Sequence, residues 1–309
     1  MKPLYDNIKL CATIVSDTHI DEKHPVKIIP MYILINSLKG AKKSNSDVFL
    51  TVGDTTSRGS RTNWNMTRKC FEKAAFSKRI MLTIGNHDGW HDDDFEAAQK
   101  EYFSAFYDIC KRKIDTTYFS EEINGCRFIC IGTDSESGCA AAISDEQMNW
   151  FRSEMASASE TKNPIFVFCH QSLNTRHGLP RTWERNEKPD RPLDEGGIGE
   201  RSDEIAEILK SCKNVFYFSG HSHMGLCGED MKKNEGYSTF ECEDGVTLIN
   251  LPSLSCGNHH GELNGLGIGI QLEVYEDKVV LRPKNYISGK FITKLNILDS
   301  KPYYEVKIK

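Results

Sequence analysis

Residues 79–88 read RIMLTIGNHD, and the change of character inside that run decides the fold. From Arg79 to Ile84 the run is short and apolar, the pattern of a strand. Gly85 then allows a tight turn. Behind it stand Asn86, His87 and Asp88, all capable of chemistry. Open α/β sheets bind ligands beyond the carboxyl ends of their strands. A polar motif closing an apolar run therefore marks a strand direction and a candidate site together.

Four other places repeat the pattern. Ser16-Asp17-Thr18-His19 follows a candidate strand at Ile8–Val15, and Val52-Gly53-Asp54 ends one at Val48–Val52. Cys169-His170 ends a third at Ile165–Cys169. Ser219-Gly220-His221-Ser222-His223 ends a fourth at Val215–Ser219. A further strand is expected at Arg127–Ile131. Helices are expected between them, at Val26–Lys39, Thr62–Phe76, Asp94–Lys111, Asp145–Ala158 and Ser202–Ser211. Asn124-Gly125 reads as a hairpin turn. Ser144, with Gln147 three residues on, has the form of a capping box. From about Gly236 the helical pattern stops, and strands are expected at Thr247–Asn250, Ile268–Val274, Lys278–Arg282 and Tyr304–Ile308. The expectation is a single domain over 1–309, α/β to about residue 228 and a β meander over about 236–309.

The chemistry of the motifs is coherent. Asp and His together suit first-row divalent metals. Spacing of two, as in Asp17-x-His19 and His221-x-His223, puts both side chains on one side of an extended backbone. Each fragment alone is common; the ordered set is specific. The order DxH, GD, GNHD, H, GHxH resembles the calcineurin-like metallophosphoesterase superfamily, over roughly Asp17 to His223. That resemblance implies an α/β fold, a four-layer α-β-β-α sandwich closed by C-terminal strands, with two metal ions at its top edge. It places Asp17, His19 and His223 on the first metal and Asn86, His170 and His221 on the second, with Asp54 bridging both. The metals implied are divalent or mixed-valence transition ions: Mn, Fe, Zn, Ni or Co. They would clamp phosphate oxygens and acidify a bridging water, and the resulting hydroxide would attack phosphorus in line. His87 would be catalytic, giving a proton to the leaving oxygen or stabilising charge on the phosphoryl oxygens. Asp88 either orients the turn through a backbone hydrogen bond or is a solvated loop acid.

Two departures matter. Relatives of the Ser/Thr protein phosphatases carry GDxxDRG, whose second Asp orients the catalytic histidine; here the stretch is Gly53-Asp54-Thr55-Thr56-Ser57-Arg58-Gly59, with Ser57 at that place. The same stretch lacks the tyrosine ligand of purple acid phosphatases. The style of the motifs resembles the bacterial phosphodiesterase-type branch. The expected function is a phosphohydrolase, with phosphodiesterase preferred. A phosphomonoesterase or a nuclease is the alternative, and a non-catalytic interaction module on the same fold stands behind them.

Specificity has several candidates. The segment 174–201 holds three prolines, four glycines and five arginines with little periodicity, and a loop of that length is usually functional. Arg176, His177 and Arg181, with Arg185, suit phosphate or carboxylate recognition, as does Arg58. Trp183 could stack on a base or pack on the sandwich, and Trp90 is placed to wall the pocket. His91, Asp92, Asp93 and Asp94 read as an accessory metal site or as a helix N-cap. Asn258, His259 and His260 read as exposed loop residues or as residues that reach the rim.

Bulk properties narrow the partners. The chain is 39% hydrophobic and 27% charged, which predicts a buried core. Its net charge of -5 makes no electrostatic case for nucleic acid or an acidic membrane. A small phosphate ester is the expected partner, and no oligomeric state is specified. The N-terminus has no long apolar h-region, and no stretch is long enough to span a bilayer. The eleven cysteines form no CxxC pair and sit mostly in apolar runs, so buried free thiols and a cytoplasmic location are expected.

Overall fold

The structure, a computed structural model, describes residues 2–23, 25–90, 94–136, 138–174, 197–228, 238–258, 265–293 and 303–309. Arg176, His177, Arg181, Trp183 and Arg185 lie outside the described residues, as do His91, Asp92, Asp93, His259 and His260.

The apolar runs form strands buried at every position: Leu10–Val15 (β1), Val48–Val52 (β2), Ile165–Phe168 (β6) and Val215–Ser219 (β7). Strands buried on both faces read as continuous apolar runs and belong to parallel sheets covered on both sides. In the first sheet β1, β2 and Arg79–Thr83 (β3) are parallel. Ile268–Val274 (β10) lies antiparallel to β1, followed by Lys278–Asn285 (β11), and β11 pairs with both Lys290–Phe291 (β12) and Tyr304–Lys307 (β13). The second sheet runs Phe119–Ile123 (β4), Cys126–Cys130 (β5), β6, β7, Val246–Asn250 (β9), Phe240–Glu243 (β8). Its four inner strands are parallel and its two edges antiparallel.

Side-chain alternation along the second sheet assigns the layers. Phe128, Phe166, Phe168, Phe216 and Phe218 join one core with β1, β2 and the helices Ile28–Lys43 (α1), Arg61–Ala74 (α2) and Phe95–Cys110 (α3). The alternate residues Ile129, Val167, Tyr217 and Leu248 join Asp145–Ala158 (α4) and Ser202–Lys210 (α5) in another. Helices therefore cover the outer face of each sheet, and phenylalanines fill the seam. Phe128, Phe168 and Phe218 stack across β5, β6 and β7 at centroid distances of 5.7 and 5.1 Å. Burying each such side chain contributes about 1.5–3 kcal/mol. This is the four-layer sandwich expected.

Local signals behave as their chemistry requires. Asn124 and Gly125 both take positive φ, as a two-residue hairpin demands. Ser144 Oγ accepts from the Gln147 N–H at 3.2 Å. The Gln147 amide does not return to Ser144, as a full capping box would have it, but donates to Gly132 O and Asp134 Oδ2. After residue 236 the strands are shared between both sheets instead of forming one meander: β8 and β9 complete the second, and β9 runs parallel to β7. An apolar run records that it will be buried and leaves its partner unspecified. Among the described residues no helix is long and apolar enough to cross a membrane.

Candidate metal centre

Every motif lies beyond the carboxyl end of its strand. β1 leads to Asp17 and His19, β2 to Asp54, and β3 to Asn86 and His87. From the other sheet, β6 leads to His170 and β7 to His221 and His223. Five of these residues hold left-handed backbone: Asp17, His19, Asp54, His221 and His223, with φ of 54°, 50°, 46°, 67° and 48°. Non-glycine residues seldom take that region, at a cost of about 1 kcal/mol or more each, and keep it only where surroundings impose it. Here the loops are stitched together. The Asp17 and His19 N–H groups donate to the carbonyls of Gly53 and Asp54. Ser16 Oγ donates to Val52 O at 2.6 Å, and Ser253 Oγ and Ser255 Oγ donate to the carbonyls of Asp17 and Thr18. Glycine is required where loops cross: a Cβ on Gly53 would stand 2.4 Å from His170 Nδ1, and one on Gly85 would stand 2.2 Å from Asp54 Oδ1.

Among the described residues the donors converge in three groups, with the ligand atoms of each within 4.8 Å of one another: Asp17, His19 and His223 form the first, Asp54, His170 and His221 the second, and His19, Asp54 and His87 a third that joins them. In the first, His223 Nε2 lies 3.1 Å from Asp17 Oδ1 and 3.0 Å from His19 Nε2. In the second, His170 Nε2 lies 3.0 Å from Asp54 Oδ2. The groups touch, since Asp54 Oδ2 is also 3.6 Å from His19 Nε2. The other carboxylate oxygens are fixed by backbone: Asp17 Oδ2 accepts from the His221 N–H and Asp54 Oδ1 from the His87 N–H. His170 Nδ1 donates to Val52 O at 2.8 Å. A carbonyl only accepts, so a neutral His170 presents its Nε2 lone pair to the centre, the orientation typical of metal-binding histidines. Asn86 Oδ1 is buried and makes no hydrogen bond with protein. Such an atom needs a donor or a cation, and the set fits first-row divalent metals.

The electrostatics point the same way. Burial opposes ionisation of Asp17 and Asp54. The charges of His170, with His223 beside Asp17 and His87 beside Asp54, outweigh it and hold both well below the usual carboxylate range. Burial works against a proton on His170, but Asp54 and Asp17 push it up to about 10. Burial, reinforced by His170, drives His221 down to about 3. Two buried carboxylates thus draw positive charge into a space lined with imidazoles.

His87 lies at the edge. Its Nδ1 donates to the Ser57 carbonyl at 2.9 Å, so the position that lacks an acid still orients the ring, through its backbone. Asp88 is not a solvated acid. It is fully buried and accepts from the N–H groups of Gly85, Thr55 and Thr56 and from Thr56 Oγ1 at 2.8–3.2 Å. Burial and the Asp54 charge push it up to about 7. Arg58 is exposed and 3.6 Å from Asp21. Asp94 caps α3, accepting from the Ala97 N–H. Asn258 is bound to Ser253. Sequence reading missed the strap Ser253–Ser255 and also Asn250, which donates to Gly220 O and contacts Ser222 Oγ. Their signal was the polar end of an apolar strand, the same one that exposed the other motifs.

The model of the calcineurin-like phosphoesterase family matches residues 12–225. No curated protein matches the chain in sequence. Among solved structures, a dimetal phosphatase from Danio rerio superposes with a TM-score of 0.62 at 10% identity, over 98% of this chain and 100% of that one. A purple acid phosphatase from yellow lupin (Lupinus luteus) seeds gives 0.66 at 12%, over 96% of this chain, which spans about half (53%) of that protein. GAP50, described as the anchor in the inner membrane complex of Plasmodium, gives 0.63 at 14%, over 97% and 89%. At such identities these likenesses concern the fold. The family match covers well over half of the sequence, and so the chain belongs to the calcineurin-like phosphoesterase family, as a metal-dependent phosphoester hydrolase.

Proposed function

We propose that this hydrolase prefers phosphodiesters, with Asp17, His19 and His223 holding one metal ion, Asn86, His170 and His221 a second, and Asp54 shared between them. The observation that carries the assignment is the pair of donor groups meeting at the Asp54 carboxylate. When bound, two such cations neutralise phosphate charge and acidify water. The chain supplies the rest. The Ser57 carbonyl fixes His87 through Nδ1 where the residue lines the cavity beside the centre, which leaves Nε2 to pass a proton to a leaving oxygen. Asp88 keeps the Asp54 and His87 turns in register.

The preference for diesters rests on the cavity next to His87. Among the described residues lining it there is no lysine or arginine, and a monoester dianion would gain from one. There is room instead for an uncharged ester substituent. The eleven free thiols, six of them buried, support a reducing compartment, and we place the protein in the cytoplasm.

The test is hydrolysis of bis(p-nitrophenyl) phosphate and of p-nitrophenyl phosphate by metal-stripped protein with Mn added back. We expect metal-dependent turnover with the diester ahead. The opposite order would make the chain a phosphomonoesterase. No metal-dependent turnover of either would contradict the catalytic assignment of these residues.

A further inference from the structure

A cavity of about 410 Å³ opens beside His87, between the turn after β3 and the segment after β5. Besides His87 and Asn86, the walls that matter are Trp90, Phe95, Glu136 and Gly138. Trp90 is 53% exposed, yet it is not loosely held. Its backbone N–H donates to the His87 carbonyl, and its ring centroid lies 5.7 Å from that of His87. Phe95 packs against Gly89, where a Cβ would stand 3.1 Å from its ring; Gly138 leaves its own side open. Glu136 is the one charged side chain among the described lining residues.

We infer that this cavity receives the leaving group of the substrate, and that this group is an uncharged planar ring carrying an N–H donor, stacked on Trp90 with the donor toward Glu136. The inference rests on the phosphoesterase reading above. The phosphate must sit at the donor groups, and His87 stands between them and the cavity. Whatever is joined to phosphorus on that side therefore enters a space with aromatic walls. A second anion there would meet Glu136 with no cationic side chain among the described lining residues to offset it, which is selection by repulsion as well as by attraction. A flat ring gains both stacking and a hydrogen bond. A small aliphatic group would leave the cavity wet and Trp90 uncovered.

The experiment is calorimetric binding of non-hydrolysable phosphonates to metal-loaded protein. Benzylphosphonate should bind about tenfold more tightly than methylphosphonate, the scale of one ring stacked on an aromatic side chain. 4-Aminobenzylphosphonate should bind more tightly still, and 4-carboxybenzylphosphonate more weakly than the benzyl compound. Trp90→Ala should erase the benzyl advantage, Trp90→Phe should keep part of it, and methylphosphonate, which has no ring, should bind all three proteins alike. Glu136→Gln should narrow the gap between the amino and carboxy compounds. Equal affinity for benzyl- and methylphosphonate, or a benzyl advantage that survives Trp90→Ala, overturns the inference and leaves the phosphoesterase reading standing. Tightest binding by 2-(trimethylammonio)ethylphosphonate overturns it in favour of a cation-selective pocket. If no phosphonate binds in the presence of metal, the inference falls, and the phosphoesterase reading stands or falls separately by the hydrolysis of bis(p-nitrophenyl) phosphate.

Discussion

His87 shows how one residue can be oriented without the charge that usually accompanies orientation. The Ser57 carbonyl takes its Nδ1 proton, which fixes ring and tautomer but adds only a dipole where an aspartate would add a full charge. His87 shares a donor group with His19 and Asp54, but each metal ion of the proposed pair has its full set of ligands without it, so His87→Ala should keep two metals per chain and lose about a hundredfold or more in kcat. Metal analysis with steady-state kinetics checks this, and loss of metal or full activity would remove His87 from its role. Asp88 makes the complementary case. Sequence left it open because its donors Thr55 and Thr56 lie more than thirty positions away, and no local pattern encodes such a contact. Asp88→Ala would strand four buried donors and should cost about 3 kcal/mol or more, with Asp88→Asn milder because its amide oxygen still accepts. Equal urea midpoints for Asp88→Ala and the wild type would refute the structural role assigned to it.

At the scale of elements, legibility followed locality. The central strands and the five helices among the described residues were readable because burial and periodicity are written within a few residues, and the polar ends of the strands pointed to the donors. β8, with the sequence FECE, and the two-residue β12 were not, since they exist only by pairing with neighbours. The strap at Ser253 and Ser255 shows only the polar end of an apolar strand, and its partners, carbonyls near residue 17, are not written nearby. The turn after β3 carries the sharpest steric demand. A methyl at Gly85 would meet both Asp54 Oδ1 and, at 2.4 Å, the Asp54 backbone nitrogen. Backbone cannot swing aside as a side chain can, so Gly85→Ala should destabilise by about 1–3 kcal/mol and reduce bound metal. Wild-type metal content in a folded Gly85→Ala protein would mean that the two turns are less tightly apposed than described.

For the molecule as a whole, Lys284 is a buried charge whose titration should be visible in the stability. Lys284 is fully buried on the first sheet, donating to Ser44 Oγ at 2.6 Å and to Gln271 Oε1 at 3.4 Å, above the Tyr286 ring. Burial drives it down to about 8, against about 10.4 in an unfolded chain. Below pH 8 both states hold the proton and the full cost of the buried charge is present. Between about pH 8 and 10.4 the folded state has released the proton and the unfolded state has not, so this lysine's contribution to stability rises with pH. Relative to Lys284→Met, the wild type should therefore gain stability between pH 7.5 and 9.5. Parallel urea midpoints across that range would show that Lys284 keeps an ordinary affinity for its proton.

The seam between the sheets also governs when the centre can come into being. The two donor groups proposed to hold metal each draw on both sheets, Asp17 and His19 with His223 in one, Asp54 with His170 and His221 in the other. A chain emerging from the ribosome exposes Asp17 early and His223 some two hundred residues later. Neither of these two groups can close on a half-made chain; until most of the protein has been synthesised only His19, Asp54 and His87, all from the first sheet, can meet. The order of the motifs along the chain is thus also a timetable, with the two proposed metal groups completed only when both halves are present.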